Sequence, residues 1–333
     1  MQGLAGQGLT ATALVDIRSV ATYISGTMRP VFADPKIGLV FKRIFGTEAH
    51  KPVLIQLLND LLGLPDDRKI VDVEYLSPEQ VPKIVRHKNS IVDVKCRDQH
   101  GAHYVVEMQV LNVEAFEKRL VYNGAKAYVG QLSVGDLYPQ INDVVMVAIC
   151  DFHLWHEEEK RPGALKVPMV SRFCMKEEET GAKRFSQVRY VVMELPKYGA
   201  GKRPQTMVDR WAYFFREAEK LKEVPEVLSE GRLREAMEVA RTVGFSAEEW
   251  EEYDREKVAE QDARGAVTLA QKEGFDEGRD VGLKEGLRQG IVDLCEVLGI
   301  EISELRRQHL GRMDESGLVR FRDQLKQGRA WPV

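Results

Sequence analysis

Residues 90 to 110, SIVDVKCRDQHGAHYVVEMQV, are two alternating runs around a short polar break. In SIVDVKCR the parity sets Ile91, Asp93 and Lys95 against Val92, Val94 and Cys96. In HYVVEMQV it sets Val105, Glu107 and Gln109 against Tyr104, Val106, Met108 and Val110. A period of two marks a strand, and DQHG carries turn chemistry, so the stretch predicts a hairpin. With a loop from Asp98 to Ala102, Arg97 pairs with His103, and counting back places Asp93 directly opposite Glu107. Cross-strand partners have Cβ atoms roughly 4.5–5.5 Å apart, and like charges so placed destabilise a sheet. A hard cation offsets that repulsion: Mg²⁺ at about 2.0–2.1 Å can take one oxygen from each carboxylate and keep waters for a phosphate. Gln109, two residues on along the same face, would orient a water or a phosphoryl oxygen. The pattern taken alone also describes an ordinary hairpin with a solvated polar face.

Ordered blocks surround the hairpin. DPKIGLVFKRIFG begins at Asp34, Lys88 precedes Asp93, and Glu107-Met108-Gln109 reads EMQ. FEKRLVYNGAKAYVGQLSVGDLYPQI follows, with Arg119, Tyr122, Tyr128, Gln131, Leu132, Gly135 and Tyr138 at its marked positions, and then MELPKY near Glu194 and WAYFF at Trp211. From about Asp34 to Gly290 these blocks resemble the PD-(D/E)XK nuclease superfamily, specifically its recombination-promoting nuclease and transposase group. The resemblance implies an α/β sandwich and a metal-dependent endonuclease leaving 5′-phosphate and 3′-hydroxyl ends, linked to recombination or mobile elements. On that reading Asp93 and Glu107 bind Mg²⁺, with Mn²⁺ able to substitute, and the Met108 carbonyl completes the inner shell. Gln109 positions the nucleophile, and Lys88 or Arg119 stabilises the transition state. Two positions depart from the pattern. The group has an acid four residues after Asp34, where this chain has Gly38, so the first-motif acid is Asp34 or is missing. The second of two paired tyrosines after the arginine is Asn123. Gln109, where many superfamily members have lysine, is usual for this group.

A net charge of −4 argues against a broadly basic surface, since phosphate contacts come from Lys and Arg. Nucleic-acid contact must then come from local groups around the hairpin: Lys36, Lys42 and Arg43; Lys83, Arg86 and Lys88; Lys118, Arg119 and Lys126. Arg119, Tyr122 and Lys126 share one helix face, which could follow a DNA backbone or, at Tyr122, pack into a core. Cys96, Cys150, Cys174 and Cys295 form no C-x-x-C pair and suggest a reduced, cytoplasmic setting. No apolar run approaches the roughly 20 residues that span a bilayer, and residues 1–30 read as a loosely ordered extension without a secretory pattern.

The coarse reading is a mixed central sheet flanked by helices, a restriction-endonuclease-like core, followed by an all-helical C-terminal region. VFKRIF and VLIQLLNDLLGL predict two amphipathic helices, the second ended by Gly63 and Pro65. KIVDVEYL predicts a strand alternating at Val71, Val73 and Tyr75; Ala115 to about Leu132 a helix; VVMVAICDFHLW a buried strand; and RYVVMEL another. His153 and His156, three apart, have no visible third partner for a metal. The expected division is 31–208 for the nuclease-like domain, 209–290 for a helical region and 291–333 for a small helical unit with a cap-like Ser303 and a turn at Glu315-Ser316. Within the helical region Gly274, Gly278, Gly282, Gly286 and Gly290 recur every four residues. Each glycine costs a helix about 1 kcal/mol relative to alanine, so the ladder marks either a close helix contact, such as a homo-oligomer interface, or a linker. The favoured reading is a Mg²⁺-dependent DNA endonuclease. The alternatives are a catalytically weak DNA-binding or assembly protein that keeps the fold, and an RNA-directed nuclease.

Overall fold

A computed structural model describes residues 29–80, 90–199 and 201–332, without the side chains of His156 and Glu157. The expected extension at 1–30 falls almost wholly outside these residues, as do Lys83, Arg86 and Lys88 and the His153/His156 pair as a pair.

After Asp34 the chain enters helix α1 (Gly38–Phe45) and then α2 (Lys51–Leu62). Val40, Phe41, Ile44 and Phe45 of α1 and Val53, Leu54, Leu57, Leu58 and Leu61 of α2 form two apolar stripes with no exposure. Gly63 ends α2 at φ 60°, the left-handed region glycine enters without a Cβ clash, as the Gly63/Pro65 signal predicts. Strands β1 (Val73–Tyr75), β2 (Glu79–Gln80), β3 (Ser90–Ile91), β4 (Val94–Asp98) and β5 (His103–Gln109) follow. Helix α3 (Phe116–Val129) crosses to β6 (Val144–Cys150). The short α4 (His156–Glu159), β7 (Val170–Phe173), β8 (Val188–Glu194), α5 (Met207–Glu217) and α6 (Gly231–Val239) lead to the long α7 (Ala247–Val297).

Six strands form one sheet in the order β1-β4-β5-β6-β8-β7, parallel at β5–β6 and β6–β8 and antiparallel elsewhere. Alternation along β6 supplies both faces: Val145, Val147 and Ile149 join the core under α1, α2, α5 and α6, while Val144, Met146, Ala148 and Cys150 pack under α3. This is the mixed, helix-flanked sheet the sequence predicts.

Several local expectations change. SIVDVKCR is not one strand: β3 pairs with β2 as a separate two-stranded sheet, and the chain bends at Val92 and Asp93 before β4 begins. The bend breaks parity, so Val92 packs on the α3 side while Val94 and Cys96 pack on the other. In KIVDVEYL only Val73 to Tyr75 pair, and Val71 is 72% exposed. The Asn59 amide takes both the Ile70 N–H (2.9 Å) and carbonyl (2.8 Å), so the backbone there is satisfied by a side chain instead of a strand. VVMVAICDFHLW ends as strand at Cys150, and α3 stops at Val129, short of Leu132. Strand β7 has no counterpart in the sequence reading.

The domain boundary also moves. Packing divides the chain after Lys257 and not after residue 208. The reason is the WAYFF run: Trp211, Phe214 and Phe215 of α5 are fully buried in the same core as Phe41 and Phe45, and the Trp211 indole donates to Asp60 at 2.8 Å. The second unit, from Val258, has its own core of Ile291, Cys295, Leu310, Leu318, Phe321 and Leu325. Its helices α8 (Glu304–Gly311) and α9 (Glu315–Gly328) are capped by Ser303, as predicted, and by Asp314, which accepts the Gly317 N–H at 2.7 Å. Glu315 and Ser316 therefore open α9 instead of forming a turn. The glycine ladder lies wholly inside α7, and a Cβ added at any of its five positions would meet nothing within 4 Å among the described residues.

Candidate active site

The site grows from the place where the β4–β5 ladder stops. The register runs Val94↔Val106 to Arg97↔His103, as the sequence count gives, and Asp98 N–H closes the turn on the Ala102 carbonyl at 2.9 Å. One step further Asp93 falls opposite Glu107 by number, but it sits in the bend and not in the ladder. With no strand partner beyond Val106, the Met108 N–H donates to Asp93 Oδ2 at 2.8 Å. The Asp93 carboxylate thus stands where the next backbone carbonyl of β4 would be. The Gln109 carbonyl accepts from Asp151 N–H on the β6 side, so alternation along β5 turns the Met108 carbonyl toward Asp93.

Glu107 reaches the cleft from the other face of β5, under α3. Gly124 lets that helix approach closely: a Cβ there would lie 3.0 Å from Met146 Cγ. The neighbouring Asn123, 3% exposed, donates from Nδ2 to Glu107 Oε1 at 2.8 Å, while its own Oδ1 is buried without a partner among the described residues. Asp93, Glu107, Met108, Gln109, Arg119, Tyr122 and Asn123 line one cleft of about 400 Å³, with β3 and Val92 along its edge.

Burial dominates the electrostatics. It pushes the Asp93 carboxyl above its ordinary range, opposed by the Met108 N–H and by the charges of Lys42 and Arg119, and reinforced by Glu256. Burial likewise raises Glu107, opposed by the Asn123 hydrogen bond and Arg119 and reinforced by Asp93. The two carboxylates and the Met108 carbonyl are a hard oxygen set suited to a divalent cation. The orphaned Asn123 Oδ1 is a buried acceptor that an ion-bound water can satisfy. Among the described residues no three His, Cys, Asp or Glu side chains form a metal-holding group by themselves.

The remaining predicted residues are distributed unevenly. Gln109 is held at both ends of its amide, Nε2 donating to the Leu111 carbonyl at 2.8 Å and Oε1 accepting from the Arg119 guanidinium. Lys126 lies over the Tyr122 ring and donates to the Gln80 carbonyl (2.6 Å) and Ser90 Oγ (3.1 Å), tying β2 and β3 to α3. Asp34 is not in this cleft: it pairs with Lys36 at 3.0 Å and lines a separate depression with Asp151 and Glu219. Lys88 lies outside the described residues. Other blocks of the resemblance build scaffold. Gln131 exchanges hydrogen bonds of 2.9 Å with Asn142, and the fully buried Glu194 accepts the Leu154 N–H at 2.6 Å and pairs with Lys197 at 2.8 Å.

The sequence reading missed a role for Asn123, although its place four residues after Arg119 puts it on the same helix face. The family model described as PD-(D/E)XK nuclease family transposase matches residues 35–270. No curated protein and no solved structure matches the chain.

Proposed function

Because the chain belongs to the PD-(D/E)XK nuclease family of transposases, we propose that it is a metal-dependent DNA endonuclease working at the Asp93–Glu107 cleft. One observation carries this reading: two carboxylates, half-buried Asp93 from the bend before β4 and buried Glu107 from β5, converge on a cleft that also receives a guanidinium from α3. Asp93, Glu107 and the Met108 carbonyl would hold Mg²⁺, or Mn²⁺ in its place. An ion so held supplies a Lewis acid for a phosphoryl oxygen and acidifies a bound water.

The chain's own residues orient the reaction. Asn123 fixes which Glu107 oxygen faces the cleft, and the Met108 N–H does the same for Asp93. Arg119 rests on Gln109, but a phosphodiester offers a guanidinium two charged oxygens, a stronger contact than one neutral amide. A bound strand would draw Arg119 away and free Gln109 Oε1 to accept a hydrogen from the attacking water. Gln109 is uncharged, so it orients that water without deprotonating it. Tyr122 supplies an exposed ring beside the strand, and Lys126 acts by holding β3 at the edge of the cleft. Lys88 remains a candidate phosphate contact from the segment before β3. The role in mobile-element biology and assembly as a homo-oligomer through the α7 glycines belong to the same proposal.

Incubation of the purified chain with supercoiled plasmid, with Mg²⁺, Mn²⁺ or EDTA, tests it. Nicking that needs the ion and disappears in Asp93→Ala and in Glu107→Ala is the expected result. A second reading, a binder that no longer cuts, is favoured by Gly38 and by the lack of a third metal-holding side chain among the described residues. Retained DNA affinity without cleavage under every ion would establish it.

A further inference from the structure

The parallel strands β5, β6 and β8 end together, with Gln109, Cys150 and Glu194 side by side in register. In open α/β sheets ligands gather outside these carboxyl ends. The segment leaving β6 starts beside the cleft, where the Asp151 N–H binds the Gln109 carbonyl at 2.9 Å, and Glu194 stands two strand spacings from Gln109, about 10 Å. There the chain buries charges to hold a loop. Lys197, its side chain 11% exposed, pairs with the fully buried Glu194 at 2.8 Å and with Glu159 at 2.7 Å, and donates to the Val167 carbonyl at 2.9 Å. Glu159 Oε1 also takes the Val167 N–H at 3.0 Å. Residues 159 and 167 are thereby clamped together, and the chain between them, KRPGALK, is exposed at every position. Its tip is a defined turn: the Ala164 N–H returns to the Arg161 carbonyl at 3.0 Å across Pro162 and Gly163, and Gly163 has φ 78°. Proline followed by a glycine of positive φ is the pair a type II turn favours.

Lys160, Arg161 and Lys166 are the charged residues of this loop, with no acid among them. Arg161 and Lys166 enter no ion pair among the described residues. Buried ion pairs are a weak source of stability, so the Glu194–Lys197–Glu159 clamp is better explained by what it presents: cations held in one place on a chain whose net charge is −4. We infer that the 160–166 loop is a second DNA contact of this protein, placing Arg161 and Lys166 on duplex phosphates a few base pairs along from the bond at the Asp93–Glu107 cleft. This rests on the DNA-endonuclease reading above and adds a binding surface to it. The offset follows from the spacing, since about 10 Å from Gln109 to the base of the loop is roughly three base-pair steps of about 3.4 Å each. A loop already fixed in shape also loses less freedom on binding than a slack one.

The test is anisotropy titration of a labelled DNA duplex with the full chain in EDTA over a range of salt, with plasmid nicking in Mg²⁺ and melting curves alongside. Arg161→Gln with Lys166→Gln should make the slope of log affinity against log salt shallower by about 1.8, or about 0.9 for each phosphate contact, and weaken binding roughly tenfold or more at about 0.1 M salt. The melting temperature should stay as it is, because both side chains are exposed. Lys183→Gln with Arg184→Gln removes the same charge from the exposed turn between β7 and β8, at the opposite end of the sheet, and should leave the slope unchanged. A wild-type slope in the loop variant, or equal losses in the two variants, overturns the inference. A wild-type chain that neither binds nor nicks duplex DNA fails the DNA-endonuclease reading itself, whereas wild-type binding with an unchanged slope in the loop variant removes only the loop.

Discussion

Burial is the largest influence on both Asp93 and Glu107, and its sign fixes a pH dependence. Both carboxyls hold protons more tightly in the folded chain than in the unfolded one, where such groups titrate near 4. Their contribution to stability is therefore fully present below that pH and is lost as pH rises through the higher folded-state values. In EDTA the melting temperature of the wild type should fall relative to Asp93→Asn/Glu107→Gln as pH rises from about 4 toward neutrality. Parallel curves for the two proteins would contradict the shift. Arg119 belongs to the same scale. Its side chain is exposed and its partner Gln109 is neutral, so Arg119→Ala should change the melting temperature little. If it meets phosphate, DNA affinity should drop and the slope of log affinity against log salt should become shallower by about one unit. An unchanged slope removes it from the interface.

At the scale of elements, α3 decides whether Glu107 is ordered. The helix can sit this close to β6 because Gly124 has no side chain, with Met146 Cγ, Tyr190 Oη and Val188 Cγ1 all within 3.4 Å of where a Cβ would be. Gly124→Val should cost about 1–3 kcal/mol through overpacking, despite the poor helix propensity of glycine. It should also lift Asn123 from Glu107, so nicking should fall by more than the folded fraction does, as read by parallel circular dichroism and plasmid assays. Equal losses would mean that α3 contributes packing alone. The bend before β4 works in the opposite sense, since ending the ladder leaves the Met108 N–H for Asp93 to bind.

At the scale of the whole molecule, the role proposed for the α7 glycines is contact with a partner helix. Five of them carry about 1 kcal/mol each in lost helix propensity, and a Cβ at any of these positions would meet nothing within 4 Å among the described residues. A second copy of the same helix is the simplest partner, because closed homo-oligomers are the common case. The full chain should run as a dimer or larger in light scattering at micromolar concentration, and Gly278→Leu with Gly282→Leu should weaken that assembly while raising helicity. A monomeric wild type would leave the ladder without a packing role.

Local patterning was enough for the fold class. Period-two runs, the α1 and α2 stripes and the DQHG turn depend on near neighbours in the chain, and they gave the β4–β5 register to the residue. The ordered blocks brought Asp93, Glu107, Met108, Gln109, Arg119 and Tyr122 to one site, and these six do line one cleft. What local pattern cannot encode is where a strand stops for want of a partner, or what fills a space left by a glycine. The bend at Val92 and Asp93 follows from β3 pairing with β2 instead of continuing into β4. The domain boundary follows from Trp211, Phe214 and Phe215 burying themselves against α1. The pairing of Glu256 with the Leu39 N–H joins residues 217 apart, a contact fixed by helix packing and not by any spacing along the chain.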